Sequence, residues 1–159
     1  MLNGYGDYPL LSAYGPTVLR LVLAAVFIAH GAQKLFGIWG GGGLTGTAAF
    51  FGQLGLEPAY PLAVVAGVVE FGGGLMLLLG AYTQIASALL TLQMLVAIWT
   101  VHLGAGFFLP EGYEFNLTLI GGLICLMLTG AGAISIDARR ASQAAAAAAG
   151  LARLRAGKV

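Results

Sequence analysis

Four runs of about 20 predominantly apolar residues partition this chain, at 17–36, 61–80, 84–103 and 115–134. Wound as an α-helix, each is long enough to cross a hydrocarbon core of roughly 30 Å at about 1.5 Å per residue. Within lipid, every backbone N–H and C=O must find its partner inside the protein, which leaves helices or closed barrels. The runs are continuous rather than alternating, so helices are selected. Charge agrees: 8% of residues are Asp, Glu, Lys or Arg, against about 25% in soluble domains. The expected fold class is all-α, an integral membrane four-helix bundle, with no room for a separate soluble core.

Three parts follow: an N-terminal segment 1–16, a four-span domain 17–137, and a basic alanine-rich tail 138–159. The N-terminal segment has no basic n-region and no small-residue cleavage site, so the first span is expected to stay in place. Pro16 and Pro61 suit the first turns of their helices, where a missing N–H costs nothing. The link 81–83 predicts a tight antiparallel hairpin. The link 37–60 opens with a glycine run; Thr45 is then placed to cap a short interfacial helix turning Phe50, Phe51 and Leu54 to the membrane. The tail holds Arg139, Arg140, Arg153, Arg155 and Lys158, five of the seven basic residues. By the positive-inside rule it is cytoplasmic, and four spans put the N-terminus there too. The net charge of +1 gives no reason to expect nucleic acid. The lipid bilayer is the partner, and homo-oligomerisation is left open. Cys125 is the sole cysteine, which excludes an internal disulfide or a C-x-x-C redox pair.

Glu70 lies near the middle of the second run, roughly 14 Å from its outer end. An ionised group at that depth costs on the order of 3 kcal/mol unless compensated, and marks a functional site by default. Lys34 is its expected partner, or His30 one turn before it. Gly67, Gly73 and Gly74 share the face of Glu70 and admit a neighbouring helix closely, so that face is expected to point inward. His30, Lys34, Glu70, His102 and Glu114 are then candidates for one polar pocket in the outer half of the bundle. The bland alternative is a buried ion pair that only sets helix register. Gln93 and Asn116 read as interhelical glue. Trp39, Trp99, Phe107 and Tyr113 read as interfacial aromatics. No metal site is assigned, because the histidines and carboxylates lack ligand spacing. At the opposite face, Arg20 and Asp137 are expected to form a structural ion pair tying the first and last spans together.

The ordered set Arg20, His30-Gly31-x-x-Lys34, Gly67-x-x-Glu70-x-x-Gly73-Gly74, Gly80-x-x-Thr83, Met94, Gly112-Tyr113-Glu114 and Gly130-Ala131-Gly132-x-x-Ser135-x-Asp137 resembles the DoxX family of small four-helix bacterial membrane proteins. Gln84 departs from the basic residue expected after Thr83. The resemblance implies a membrane subunit of a redox or quinone-linked system in the bacterial inner (plasma) membrane, associated with a redox-enzyme partner. No cofactor is legible from the residues themselves. A quinone headgroup would suit the pocket, with His30 or Lys34 donating to its carbonyl and Glu70 carrying the proton. The rivals are a non-catalytic scaffold for partner proteins and a proton-coupled transporter of small molecules.

Overall fold

The computed structural model describes residues 9–156, so the N-terminal residues 1–8 and Lys158 of the tail lie outside the described residues. Six α-helices and no strand occur among them. The order is α1 Pro9–Phe36, α2 Gly43–Gln53, α3 Ala59–Leu79, α4 Thr83–Ala97, α5 Glu114–Thr129 and α6 Ile136–Ala156. A π-helical turn, Ile98–His102, and a 3-10 turn, Leu103–Ala105, prolong α4. Three helical segments are long and apolar enough to cross a membrane: Ser12–Phe36, Ala59–Leu79 and Thr83–Ala105. The protein is therefore a multi-pass membrane protein.

Phe27 of α1, Leu77 of α3, Leu90 of α4, and Leu123 and Leu126 of α5 meet in one apolar core, with Leu23 and Met94 beside them. The opposite faces of these helices carry exposed Val22, Val65, Leu92 and Leu128, the outward apolar surface that lipid requires. α1 and α3 approach so closely that a Cβ on Gly74 would stand 2.8 Å from the backbone nitrogen of Ile28. A Cβ on Gly31 would run into the backbone of Phe71. Glycine at these two positions lets the helices touch backbone to backbone.

Several boundaries depart from expectation. α1 begins at Pro9, so Pro16 sits inside the helix rather than in its first turn and forfeits one ladder bond. At this loosened turn the Ala13 carbonyl accepts the Ala133 N–H at 2.8 Å. Thr45 does not cap α2: the helix starts at Gly43 behind Gly42, with no side-chain cap. Thr47 instead donates back to the Gly43 carbonyl at 2.8 Å. α2 has 11 residues, none buried, and lies against α1 and α3. Phe50 is exposed, while Phe51 and Leu54 are half-buried. α5 has 16 residues rather than 20, because left-handed Gly130 and Gly132 break the helix although apolar residues continue to Ile134. The α3–α4 hairpin is as tight as its sequence suggests, with Gly80 at φ +62° and Tyr82 at φ +52° turning the chain.

Candidate functional site

Glu70 occupies the midpoint of α3 and is 3% exposed. Its Oε2 accepts from Lys34 Nζ at 2.6 Å, and its Oε1 from Gln93 Nε2 at 3.0 Å. The Gln93 amide also donates to the Ala66 carbonyl at 3.1 Å, so both of its N–H bonds are used. Three helices thus converge on one carboxylate. Lys34 reaches it because Gly67 lies opposite, where a Cβ would come within 2.6 Å of Leu35 and 3.5 Å of Lys34. The Lys34 side chain remains 27% exposed and keeps two N–H donors beyond the one given to Glu70.

Among the described residues, no hydrogen bond or ion pair joins the other candidates to this cluster. His30 is exposed, with its ring beside Phe115 at 6.4 Å between centroids. His102 Nδ1 meets the Glu111 carbonyl at 2.7 Å, and Glu114 Oε1 accepts the Leu109 N–H at 2.8 Å. These two side chains brace the loop between α4 and α5, in which Phe107 packs edge-on against Phe108 and Tyr113. Among the described residues, no three His, Cys, Asp or Glu side chains gather as a ligand set.

At the face where α3 ends and α6 begins, Arg20 and Asp137 do not pair directly. Arg20, 1% exposed, donates Nε to the Ala131 carbonyl at 3.0 Å. Its terminal nitrogens donate to the carbonyls of Leu77, Leu78 at 2.6 Å and Ile134 at 2.7 Å. Leu77 and Leu78 belong to the last turn of α3, where the ordinary donors four residues on are missing and only Leu77 gains a tighter bond, from the Gly80 N–H at 3.1 Å. Ala131 and Ile134 lie in the irregular stretch after α5. Burial this complete makes a buried backbone acceptor, rather than a carboxylate, the partner that most needs the guanidinium. Asp137 accepts the Tyr82 and Thr83 N–H groups, each at 2.9 Å, and so caps the start of α4. Burial pushes its carboxyl up, but the Thr83 and Tyr82 amides, the Thr83 hydroxyl and nearby Arg140 outweigh this and lower its pKa. Cation on helix C-termini and anion on a helix N-terminus both suit the helix dipoles. Gly80 turns between them; a Cβ there would strike Ser135 and stand 3.0 Å from the guanidinium carbon. Ser135 Oγ caps α6 by accepting the Ala138 N–H at 3.0 Å. Beside this cluster, between the start of α1 and the α5–α6 link, lies an open cleft of about 360 Å³ lined by Ala13, Thr129, Gly132 and Ala138.

Gln93 is the interhelical glue its sequence suggests, bridging α4 to α3; what the sequence did not single out is Glu70 as its partner. The signal was there: Gln93 is a polar residue at the depth of Glu70 in the next span. The sequence reading also missed Arg20 as a carbonyl donor, which carries no signature because any backbone offers acceptors.

A family model described as DoxX matches residues 15–103. The Bacillus subtilis protein named "Putative oxidoreductase CatD" is 34% identical over 123 residues, covering 77% of this chain and 84% of its own length. The Mycobacterium tuberculosis protein named "Uncharacterized membrane protein Rv3486" is 33% identical, covering 86% of this chain and 90% of that one. The Escherichia coli protein named "Inner membrane protein YqjF" is 31% identical, covering 80% and 92% respectively. No solved structure matches the chain.

Proposed function

The chain belongs to the DoxX family, and on that premise we propose that it is an inner-membrane subunit of a redox, quinone-linked system. α5 is the fourth crossing helix in this reading. Both termini then share one side, which the basic tail assigns to the cytoplasm. The observation that carries the reading is the Lys34–Glu70–Gln93 cluster at the midpoint of α3. An ionisable pair held there by three helices is the device expected where a proton is handled inside a membrane. Support for the redox class comes from the family and from the printed name of the Bacillus subtilis relative.

The residues fit a quinone headgroup. Lys34 is partly exposed, with two N–H donors to spare for a carbonyl oxygen. When bound, a quinone supplies two-electron, two-proton redox chemistry. Lys34 orients the headgroup, Glu70 holds the proton, and Gln93 keeps the carboxylate in place. The electrons come from a partner redox subunit. Adding quinone or quinol to purified protein is expected to raise its Tm. Lys34→Met and Glu70→Gln are expected to abolish the rise, and His30→Ala to leave it. No shift with quinones of any tail length overturns the quinone reading.

A scaffold role is the second reading, favoured by α6, which is exposed from Arg139 to Arg155 and offers partners a long arginine-bearing surface. Deleting residues 139–159 separates the two: loss of a co-purifying subunit with the quinone shift intact supports the scaffold.

A further inference from the structure

Hydroxyls on the helices of this protein behave in two ways. Thr47, Thr100, Thr118 and Thr129 each donate to the carbonyl four residues back, at 2.8, 2.9, 2.9 and 2.8 Å. The hydroxyls of Ser87 and Thr91 on α4 are enclosed and have no hydrogen-bond partner in the protein, and the equally enclosed Thr83 hydroxyl faces only the Asp137 carboxylate. Thr83 is 1% exposed and Ser87 0%.

These three recur every fourth residue, so they form one row along α4. The row faces α5. Gln84 on one flank donates to the Met127 carbonyl at 3.1 Å, and Met94 on the other accepts from Asn116 Nδ2 at 3.5 Å. At its foot the Asp137 carboxylate accepts the Thr83 N–H. A buried hydroxyl without a partner bears the full desolvation penalty of the group. Protein interiors meet such groups with ordered water. Side chains four residues apart on a helix lie about 6 Å from one another. That spacing is about two O–H···O bonds of 2.8 Å, so one water spans each gap.

We propose that the α4–α5 interface binds a file of internal water molecules, running from Asp137 past the hydroxyls of Thr83, Ser87 and Thr91. The file extends about 12 Å along α4, eight residues at the helical rise. Its inner end reaches the level of Gln93, two residues beyond Thr91, and therefore the depth of Glu70 on the opposite flank of α4. Water and exchangeable protons thereby reach mid-membrane from the Asp137 side, whatever ligand Lys34 and Glu70 serve.

Radiolytic footprinting of the full chain in lipid nanodiscs tests this, because X-rays turn bound water into hydroxyl radicals where it sits. Met94, buried beside Thr91, is expected to be oxidised readily in the wild type and several-fold more slowly in Ser87→Ala/Thr91→Val. Met76 on α3 is expected to label equally in both and serves as the control. Equal labelling of Met94 in the two proteins overturns the proposal. Where the double variant does not fold, Thr91→Val alone is read by the same criterion.

Discussion

Two charged clusters lie in the helical body, and they are built on opposite plans. At mid-depth, Lys34 and Glu70 face each other at 2.6 Å, ion against ion. At the tail face, Arg20 and Asp137 each bond backbone groups at helix ends rather than one another. The difference lies in what the surrounding backbone demands. α3 is unbroken around Glu70, so no peptide group there needs a side chain and a carboxylate can be met only by another side chain. Around Arg20 two helices end and a third begins, and their unmet carbonyls and amides take the charges first. Only the first plan leaves an ionisable pair free to serve a ligand.

The sharpest way to break this comparison is Arg20→Leu. Four carbonyls lose the guanidinium together; Leu77's keeps the Gly80 N–H, but each of the others is left at a cost of about 1–3 kcal/mol, so the expected result is no monodisperse protein in detergent. Arg20→Lys is expected to rescue it poorly, since an ammonium lacks the forked reach. A folded, unshifted Arg20→Leu protein would sink the capping account. Next in size, Glu70→Leu strands the partly exposed Lys34 ammonium and is expected to cost about 1–3 kcal/mol, most of it regained in Glu70→Leu/Lys34→Met. Denaturation of the four proteins of that cycle measures the coupling, and a double variant no better than the single contradicts a pairwise bond. Gly74→Ala pushes the backbone of α1 at Ile28 and is expected to cost about 1–3 kcal/mol. It should also loosen Lys34 from Glu70, which a weaker coupling in the same cycle would report.

Asp137→Asn is expected to cost about 1–2 kcal/mol, as a charged cap becomes a neutral one. Its pH dependence follows from a folded pKa below the unfolded one. The Asp137 contribution is then present above the unfolded value of about 3.9 and is lost as pH falls through the folded value. The Tm gap between wild type and Asp137→Asn should therefore be constant near neutrality and close as the medium is acidified below about pH 4. A gap that widens on acidification contradicts the sign.

The three helical segments long and apolar enough to cross a membrane were legible because lipid imposes one simple rule, an unbroken apolar run of sufficient length. The meeting of Lys34 with Glu70 was legible for a related reason: few charges, similar depth, and glycines marking which face turns inward. His30 shares the depth but not the direction, and points to Phe115 rather than to Glu70. Depth follows from counting residues, whereas direction depends on how helices rotate against one another, which one chain's pattern leaves undetermined. His102 and Glu114 were drawn to loop backbone for the same reason as Arg20: a peptide group can accept or donate anywhere, and nothing in the side-chain sequence marks where it will. The early end of α5 was half legible, in Gly130 and Gly132, but hidden by the hydropathy of Ile134.

On the proposed reading, in which α5 is the fourth crossing helix, its shortness has a consequence for the surrounding lipid. Sixteen residues at about 1.5 Å rise span about 24 Å, several ångströms less than a typical hydrocarbon core. Acyl chains beside this helix must shorten or tilt to meet it, at a fraction of a kcal/mol per ångström of mismatch. With α5 as a crossing helix, one flank of the protein is expected to thin its bilayer, whereas the flanks of the three longer spanning segments are not. The protein is expected to melt slightly higher in nanodiscs of fourteen-carbon than of eighteen-carbon phospholipids, with chain length as the only variable. A partner helix of equally short span would relieve the same strain, giving the α5 flank a preference for company that no side chain on it specifies.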